Sequence, residues 1–427
     1  MIKQRILFRH CEEPKRRSNP RRFLDCHARP MVGTRNDEPL LMKLSSTLKL
    51  SVSETIKMNG LALQKKAAGI RVFNLSAGEP MVDSHVSIIE GAQRAMREGK
   101  THYPPVAGIP ELREAFSEWM NVTYKTSYTS KQCIVTCGGK SGLYMLFQAI
   151  LDPGDEVIMI APYWVSYSGI TEMFGGVPVV IPTKEENGWR TSREDIERAC
   201  TPKTTLLVLN NASNPTGVLY THEQLRSILE FAASKNITVV SDEVYSGLMY
   251  DNNEFVSCGS FPEFQENVVV IQSCSKHFAM TGWRVGFVLA PEPVIARLST
   301  IQSQSTTGTS SISQWAALGA VQNAAAVIDS VRLHMQERRD VFTRSFNKLF
   351  SVSILSAPSG LYSFVSLKAL GTQETDSMKF ALRLLEEGNI ATVPGAAFGQ
   401  EGYVRFSFGA AKEELEAALQ ALKTFLS

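Results

Sequence analysis

The sequence predicts an α/β fold, a mostly parallel sheet covered by helices on both faces, with a smaller α/β domain beside it. Three observations carry this expectation. Five short runs, EVIMI (156–160), VPVVI (177–181), TTLLVLN (204–210), ITVVS (237–241) and NVVVIQ (267–272), are β-branched and apolar on both strand faces, as in strands buried from two sides. Helical stretches such as HEQLRSILEFAASK (222–235) separate several of them, and that alternation builds parallel sheets. Beyond about residue 325 the texture changes, and a second compact unit follows.

In chain order, residues 53–68 read as a helix and VFNLSAGEP (72–80) as a short strand entering a Gly/Pro turn. IPELREAFSEWM (109–120) is an amphipathic helix with Leu112, Phe116, Trp119 and Met120 on one face. QCIVTCGG (132–139) is a strand that breaks into two glycines, and KSGLYMLFQAI (140–150) is the helix after it. The five strands follow. The second unit begins with a long helix (331–350). It continues with a strand (LYSFVSL, 361–367), a helix (376–388), a strand (YVRFSF, 403–408) and a last helix (412–426). Residues 42–80 return to complete this smaller unit.

Composition sets bounds. The 427 residues suffice for two domains, and 44% hydrophobic with 20% charged residues is an ordinary globular balance. A net charge of +2 offers nothing to nucleic acid or an anionic membrane, and no apolar run is long enough to span a bilayer. Residues 1–41 stand apart, with ten Lys/Arg against five Asp/Glu and four prolines but no helical or strand period. They read as disordered, or as an extension upstream of a natural start at Met31 or Met42. No signal peptide is legible. The seven cysteines are odd in number and form no CxxC pair. They argue for a reducing, cytoplasmic setting, against a disulfide framework and against a metal site.

Ligands of open α/β sheets bind at the carboxyl ends of the strands. The polar residues expected there are Gly138, Gly139, Lys140, Tyr163, Trp164, Asn214, Asp242, Tyr245, Ser273, Ser275 and Lys276. Lys276 carries an amine able to form a Schiff base with an aldehyde. Ser273, Ser275 and Arg284 suit a phosphate, as does the helix start after Gly138 and Gly139. Gly282 and Gly286 are read as letting the backbone turn closely round that anion. Asp242 can pair with a protonated ring nitrogen, and Trp164 offers a flat face for stacking. Arg405, flanked by apolar residues in YVRFSF, suits a substrate carboxylate. Taken singly, each has a plainer reading: a surface lysine, a helix-capping aspartate, a core tryptophan, half of a salt bridge. Together, phosphate, aldehyde and basic ring nitrogen describe pyridoxal phosphate.

From about Met42 to Ser427 the chain resembles the class I/II pyridoxal-phosphate-dependent aminotransferases of fold type I, in the bacterial aspartate aminotransferase branch. The resemblance rests on LSAGEP, THYPPVAGIPELREA, VTCGGKSGL, LDPGDEVIMIAPYWVSY, NNASNPTG, VVSDEVY, SCSKHFAMTGWRVG, PGAAFG and YVRFSFG, which occur in family order. It implies a seven-stranded sheet in a large domain at 82–325, and a small domain formed by 42–81 and 326–427. It implies that Lys276 is the Schiff-base lysine and proton carrier and that Asp242 holds the ring nitrogen. Tyr245 and Asn214 would bind the ring hydroxyl and Trp164 would stack on the ring. Ser273, Ser275, Arg284, Gly138, Gly139 and the backbone of Lys140 would hold the phosphate. Tyr103 is similar to the tyrosine that reaches the neighbouring subunit's phosphate, which implies a homodimer with shared sites. Arg405 would clamp the α-carboxylate with Gly78, Trp164 and Asn214.

The same resemblance makes Lys140, Ser53 and Thr55 readers of a distal carboxylate. Two departures bear on this: Val52 stands where a proline is usual, and Glu54 sits between the two hydroxyls. The run IQSQSTTGTSSISQ (301–314) is similar to relatives that accept prephenate, and reads as a packed segment lining the site near the dimer interface. The implied reaction is transfer of the amino group of an L-amino acid, aspartate first, to 2-oxoglutarate by a ping-pong cycle. The alternatives are prephenate or aromatic substrates, or a C–S lyase of the same fold. A regulator with a helix-turn-helix module is disfavoured, since residues 1–41 are too short and irregular to hold one.

Overall fold

The computed structural model describes residues 54–427, with side chains from residue 56 onward. The expectations for residues 1–41 and for Val52 and Ser53 fall outside the described residues. Glu54 and Thr55 begin the first helix, Glu54–Ala67, but their side chains are not described.

Twelve strands appear among the described residues. They are β1 (Phe73–Asn74), β2 (Cys133–Thr136), β3 (Glu156–Ala161), β4 (Val177–Pro182), β5 (Thr204–Asn210), β6 (Thr238–Asp242), β7 (Val268–Ser273), β8 (Gly286–Leu289), β9 (Tyr362–Ser366), β10 (Ile390–Ala391), β11 (Val393–Pro394) and β12 (Tyr403–Ser407). Seven of them form one sheet in the order β2-β8-β7-β6-β5-β3-β4. Every pairing from β7 to β4 is parallel, and β8 alone runs antiparallel, to both β7 and β2. The fold is a mostly parallel α/β arrangement with helices on both faces, as expected.

Strand alternation explains why the runs looked apolar throughout. Val135, Ile158, Leu207, Val239, Val270 and Phe287 enter one hydrophobic core. Their neighbours Ile134, Val157, Leu206, Val240, Ile271 and Val288 enter another on the opposite face. Strands β2, β7 and β8 are buried at every residue. A polar side chain fits such a sheet only at a strand end, where the chain leaves the covered faces.

A three-stranded sheet, β11-β12-β9, packs on helices Ala324–Phe350 and Lys412–Leu426 through a separate core that includes Phe342, Phe346, Val365, Val404 and Phe406. The pair β1–β10 is parallel and brings residues 73–74 beside this sheet's chain segment. No helix among the described residues is long and apolar enough to cross a membrane.

Candidate active site

The carboxyl ends of β2 and β7 and the start of β8 meet at one edge of the sheet, where Thr136 and Ser273 both pair with Gly286. After β2 the chain turns through Gly138 at φ 80°, a left-handed conformation suited to glycine, into helix Gly139–Ile150. The first N–H groups of such a helix have no intrahelical acceptor. A Cβ on Gly286 would overlap the backbone of Gly138 and Gly139, so β8 can approach this turn only as glycine. Gly282 differs from the expectation: it is exposed, a Cβ there would meet open space, and it takes no positive φ. The close approach belongs to Gly286 alone.

Around this turn the cations gather. Ser273 Oγ donates to Ser275 Oγ at 2.9 Å, and Ser275 N–H donates back to Ser273 Oγ at 3.2 Å. Arg284, itself at φ 57°, sits against Gly138 and donates from Nη1 to Thr281 O at 2.8 Å. Lys140 is pushed below the ordinary lysine range by partial burial and then by the positive charges of Arg284 and Lys276. Three cations facing one space repel one another unless an anion lies between them.

This space is a cavity of about 330 Å³. Lys276 follows β7 into it, and its Nζ donates to Gly78 O. Asp242, at the end of β6, is 3% exposed, and its Oδ2 accepts from Tyr167 Oη at 2.6 Å. Burial pushes the Asp242 carboxyl up to about 6, against the hydrogen bonds from Tyr167 and the Val244 N–H, which favour its charged form. Tyr245 Oη lies 3.0 Å from Tyr362 Oη, and a Cβ on Gly78 would overlap that same Tyr362 hydroxyl. Trp164 joins the wall with the Lys140 Nζ 4.8 Å from its ring centroid.

Arg405, from β12, closes the far side. It is 1% exposed, yet no carboxylate pairs with it among the described residues. Its Nη1 donates to Asn214 Oδ1 at 3.0 Å and its Nη2 to Ser76 O at 2.7 Å, while Nε has no partner. The guanidinium packs 4.1 Å from the Tyr362 ring centroid. Burial lowers its pKa, but a guanidinium stays charged in proteins. A buried cation with a free donor is costly unless an anion completes it.

The family model for aminotransferase class I and II matches residues 70–422. The chain belongs to the class I and II aminotransferases. It is 40% identical over 371 residues to the aspartate/prephenate aminotransferase of Thermus thermophilus, covering 86% of this chain and 94% of that one. It is 36% identical over 391 residues to the aspartate aminotransferase of Bacillus subtilis, covering 90% and 99%. Among solved structures it is similar to the Thermus thermophilus aspartate aminotransferase with maleate, at TM-score 0.85 and 38% identity, over 90% of this chain and all of that one. It is also similar to an aromatic aminotransferase from Pyrococcus horikoshii, at TM-score 0.79 and 33% identity, over 85% of this chain and 98% of that one.

The cavity of this aminotransferase gathers Gly78, Gly139, Lys140, Trp164, Asn214, Asp242, Tyr245, Ser273, Ser275, Lys276, Arg284 and Arg405, with Gly138 directly behind Arg284. Tyr103 is elsewhere: it is 90% exposed and edges a separate open hollow. Residues 306–312 of segment 301–314 line that hollow with Tyr103. The segment is packed, as Gln302 Nε2 donates to Val106 O and Val135 O, and Gln314 Oε1 accepts from Ile109 N–H. Seven residues of the lining are not among those expected from the sequence, Tyr167 and Tyr362 among them. Tyr167 stands three residues after Trp164 in PYWVSY, a spacing that turns both toward one side as a helix begins. Tyr362 carries no local signal.

Proposed function

We propose that this aminotransferase uses pyridoxal phosphate to move the amino group of an L-amino acid, aspartate in the first place, to 2-oxoglutarate by a ping-pong cycle. The observation that carries the reading is Arg405, a buried guanidinium without a carboxylate, in the same cavity as Lys276 and Asp242. The donor set fits the cofactor. Ser273, Ser275, Arg284 and the helix start at Gly138, Gly139 and Lys140 suit its phosphate, while Asp242 suits its ring nitrogen. Asn214 and Tyr245 suit the ring hydroxyl, and Trp164 suits the ring face.

When bound, the cofactor supplies an aldehyde for the Lys276 amine and a ring that draws electrons from the substrate α-carbon. The residues do the rest. Arg405 holds the α-carboxylate and so fixes which bond of the α-carbon faces Lys276. Lys276 Nζ, once free, would take the proton from the substrate Cα and hold it for delivery to the bound cofactor. Asp242, kept anionic by Tyr167, holds a proton on the ring nitrogen. Lys140 is the candidate reader of a distal carboxylate, a role the resemblance also gives to Ser53 and Thr55. Prephenate is the second acceptor we propose, supported by the names of the relatives and by the exposed apolar Ile56 at the cavity wall.

We further propose a cytoplasmic homodimer in which Tyr103 reaches the neighbouring site, and a division into domains at residues 82 and 326. Sedimentation should give twice the chain mass, and Tyr103→Phe should weaken cofactor retention several-fold; a monomer with full activity defeats this part. The central test is spectroscopic. Aspartate should shift the visible band of the purified enzyme and 2-oxoglutarate should restore it, while Lys276→Ala should lose nearly all turnover. A donor and acceptor panel with prephenate ranks the substrates. No shift with aspartate sinks the substrate assignment, and pyruvate released without an acceptor points to a lyase.

A further inference from the structure

A second cavity, of about 390 Å³, lies along β9, the edge strand of the three-stranded sheet, and shares Tyr362 with the one already described. One wall comes from the segment between β4 and the next helix (Trp189 and Arg190) and from Val218. The other comes from residues 352–369, including Ile354, Leu355, Ser363 and Val365. Its lining is mostly apolar, with a tryptophan on one side and branched aliphatic chains opposite. Two polar groups in it are unspent. Arg190 donates from Nε to Leu219 O at 2.8 Å, and its two Nη groups have no acceptor among the described residues. Ser363 is 4% exposed and its Oγ has no partner. The carboxylate in the lining, Glu185, is engaged, accepting from Tyr403 Oη at 2.9 Å.

Arg190 presents a two-pronged donor at the edge of an apolar chamber wide enough for one ring system, which matches a carboxylate with an apolar tail. We propose that this cavity binds a small aromatic or branched-chain carboxylate, with the carboxylate on Arg190 and the tail against Ile354 and Leu355, and that occupancy is felt in the active site through Tyr362. Tyr362 lines both cavities. Its hydroxyl meets Tyr245 and its ring carries Arg405. Phe364, two residues on, pairs with Arg405 across β9 and β12 and stacks on Tyr403 at 5.0 Å. A ligand pressing on this strand therefore bears on Tyr362, on whose ring the Arg405 guanidinium packs, and on the backbone that pairs with Arg405.

The test uses the holoenzyme with its active site saturated by maleate, and indole-3-propionate as probe, which has no amino or oxo group to react. Calorimetry should show one saturable site. Arg190→Gln removes the anchor, and Leu355→Asp, at a residue 82% exposed, sets a like charge at the mouth without touching the core. Each should weaken binding about tenfold or more while leaving maleate binding unchanged. With maleate absent, the probe should change the KM for the amino donor more in the wild type than in Arg190→Gln, whose remaining change is competition at the active site; an equal change in both overturns the link through Tyr362. No binding, binding equal in both variants, or binding abolished by maleate overturns the site. Binding without any change in KM overturns the link through Tyr362.

Discussion

At the scale of single residues, the site turns on groups whose burial is uncompensated within the chain. Asp242 illustrates the sign of the effect. Burial raises its pKa to about 6, so at neutral pH it is an anion with little to spare. The Tyr167 hydroxyl favours that anion from 2.6 Å. Removing the hydroxyl leaves the same buried carboxylate with one donor fewer and moves its pKa further up. In Tyr167→Phe the acidic limb of the kcat/KM profile should therefore move to higher pH, by roughly one unit, while activity at the alkaline end changes little. An unshifted limb with a uniform loss of rate would mean that Tyr167 only packs. Cys274, beside Lys276 in sequence, takes no part: it is fully buried, and burial drives its thiol far above the range where it ionises.

At the scale of elements, the close seating of β8 on the Gly138–Gly139 turn gives a paired prediction. Gly286→Ala puts a methyl into backbone that cannot rotate away, so β8 or the turn must shift. The expected cost is about 1–3 kcal/mol together with weaker cofactor retention. Gly282→Ala meets open space and should fall within about 0.5 kcal/mol of the wild type in a denaturant melt. Equal effects of the two would remove the argument for close approach. The same region shows what is legible in the sequence. Strands β3 and β5 to β7 can be read because burial on two faces leaves an unbroken apolar run; β4, at the sheet's edge, is read from its valines although Val177 and Val180 are exposed. β8 cannot: GFVL is four residues long, follows directly on a loop rich in polar and charged groups, and runs against its neighbours. The helices Glu292–Ser305 and Ser311–Gln322 are hidden by a Ser/Thr-rich junction, where Thr307 and Gly308 take positive φ and Ser310 caps the second helix. In the cavity, residues at strand ends are readable because a polar group there has few other reasons to exist. Tyr362 is not, since a tyrosine on a buried strand looks the same whether it faces a core or a ligand.

At the scale of the molecule, three distant segments meet on one side chain. Arg405 comes from the three-stranded sheet, Asn214 from the loop after β5, and Ser76 from the segment that follows β1. Asn214 and Ser76 each contribute an acceptor, and together they leave Nε unspent. An anion bound at Arg405 therefore braces parts of the chain that unfolding would separate, and anything that binds only the folded form stabilises it by mass action. Maleate at about one hundred times its dissociation constant should add about 2.7 kcal/mol and raise the Tm by a few degrees. Acetate at equal ionic strength offers one carboxylate and should give a small part of this. Arg405→Lys keeps the charge but loses the planar fork, so the maleate shift should largely vanish. Lys140→Ala should lower it only in part, because the first carboxylate keeps its seat. If Arg405→Lys shows the full shift, maleate is held elsewhere, and the guanidinium is a structural tie between the segments with no carboxylate to receive.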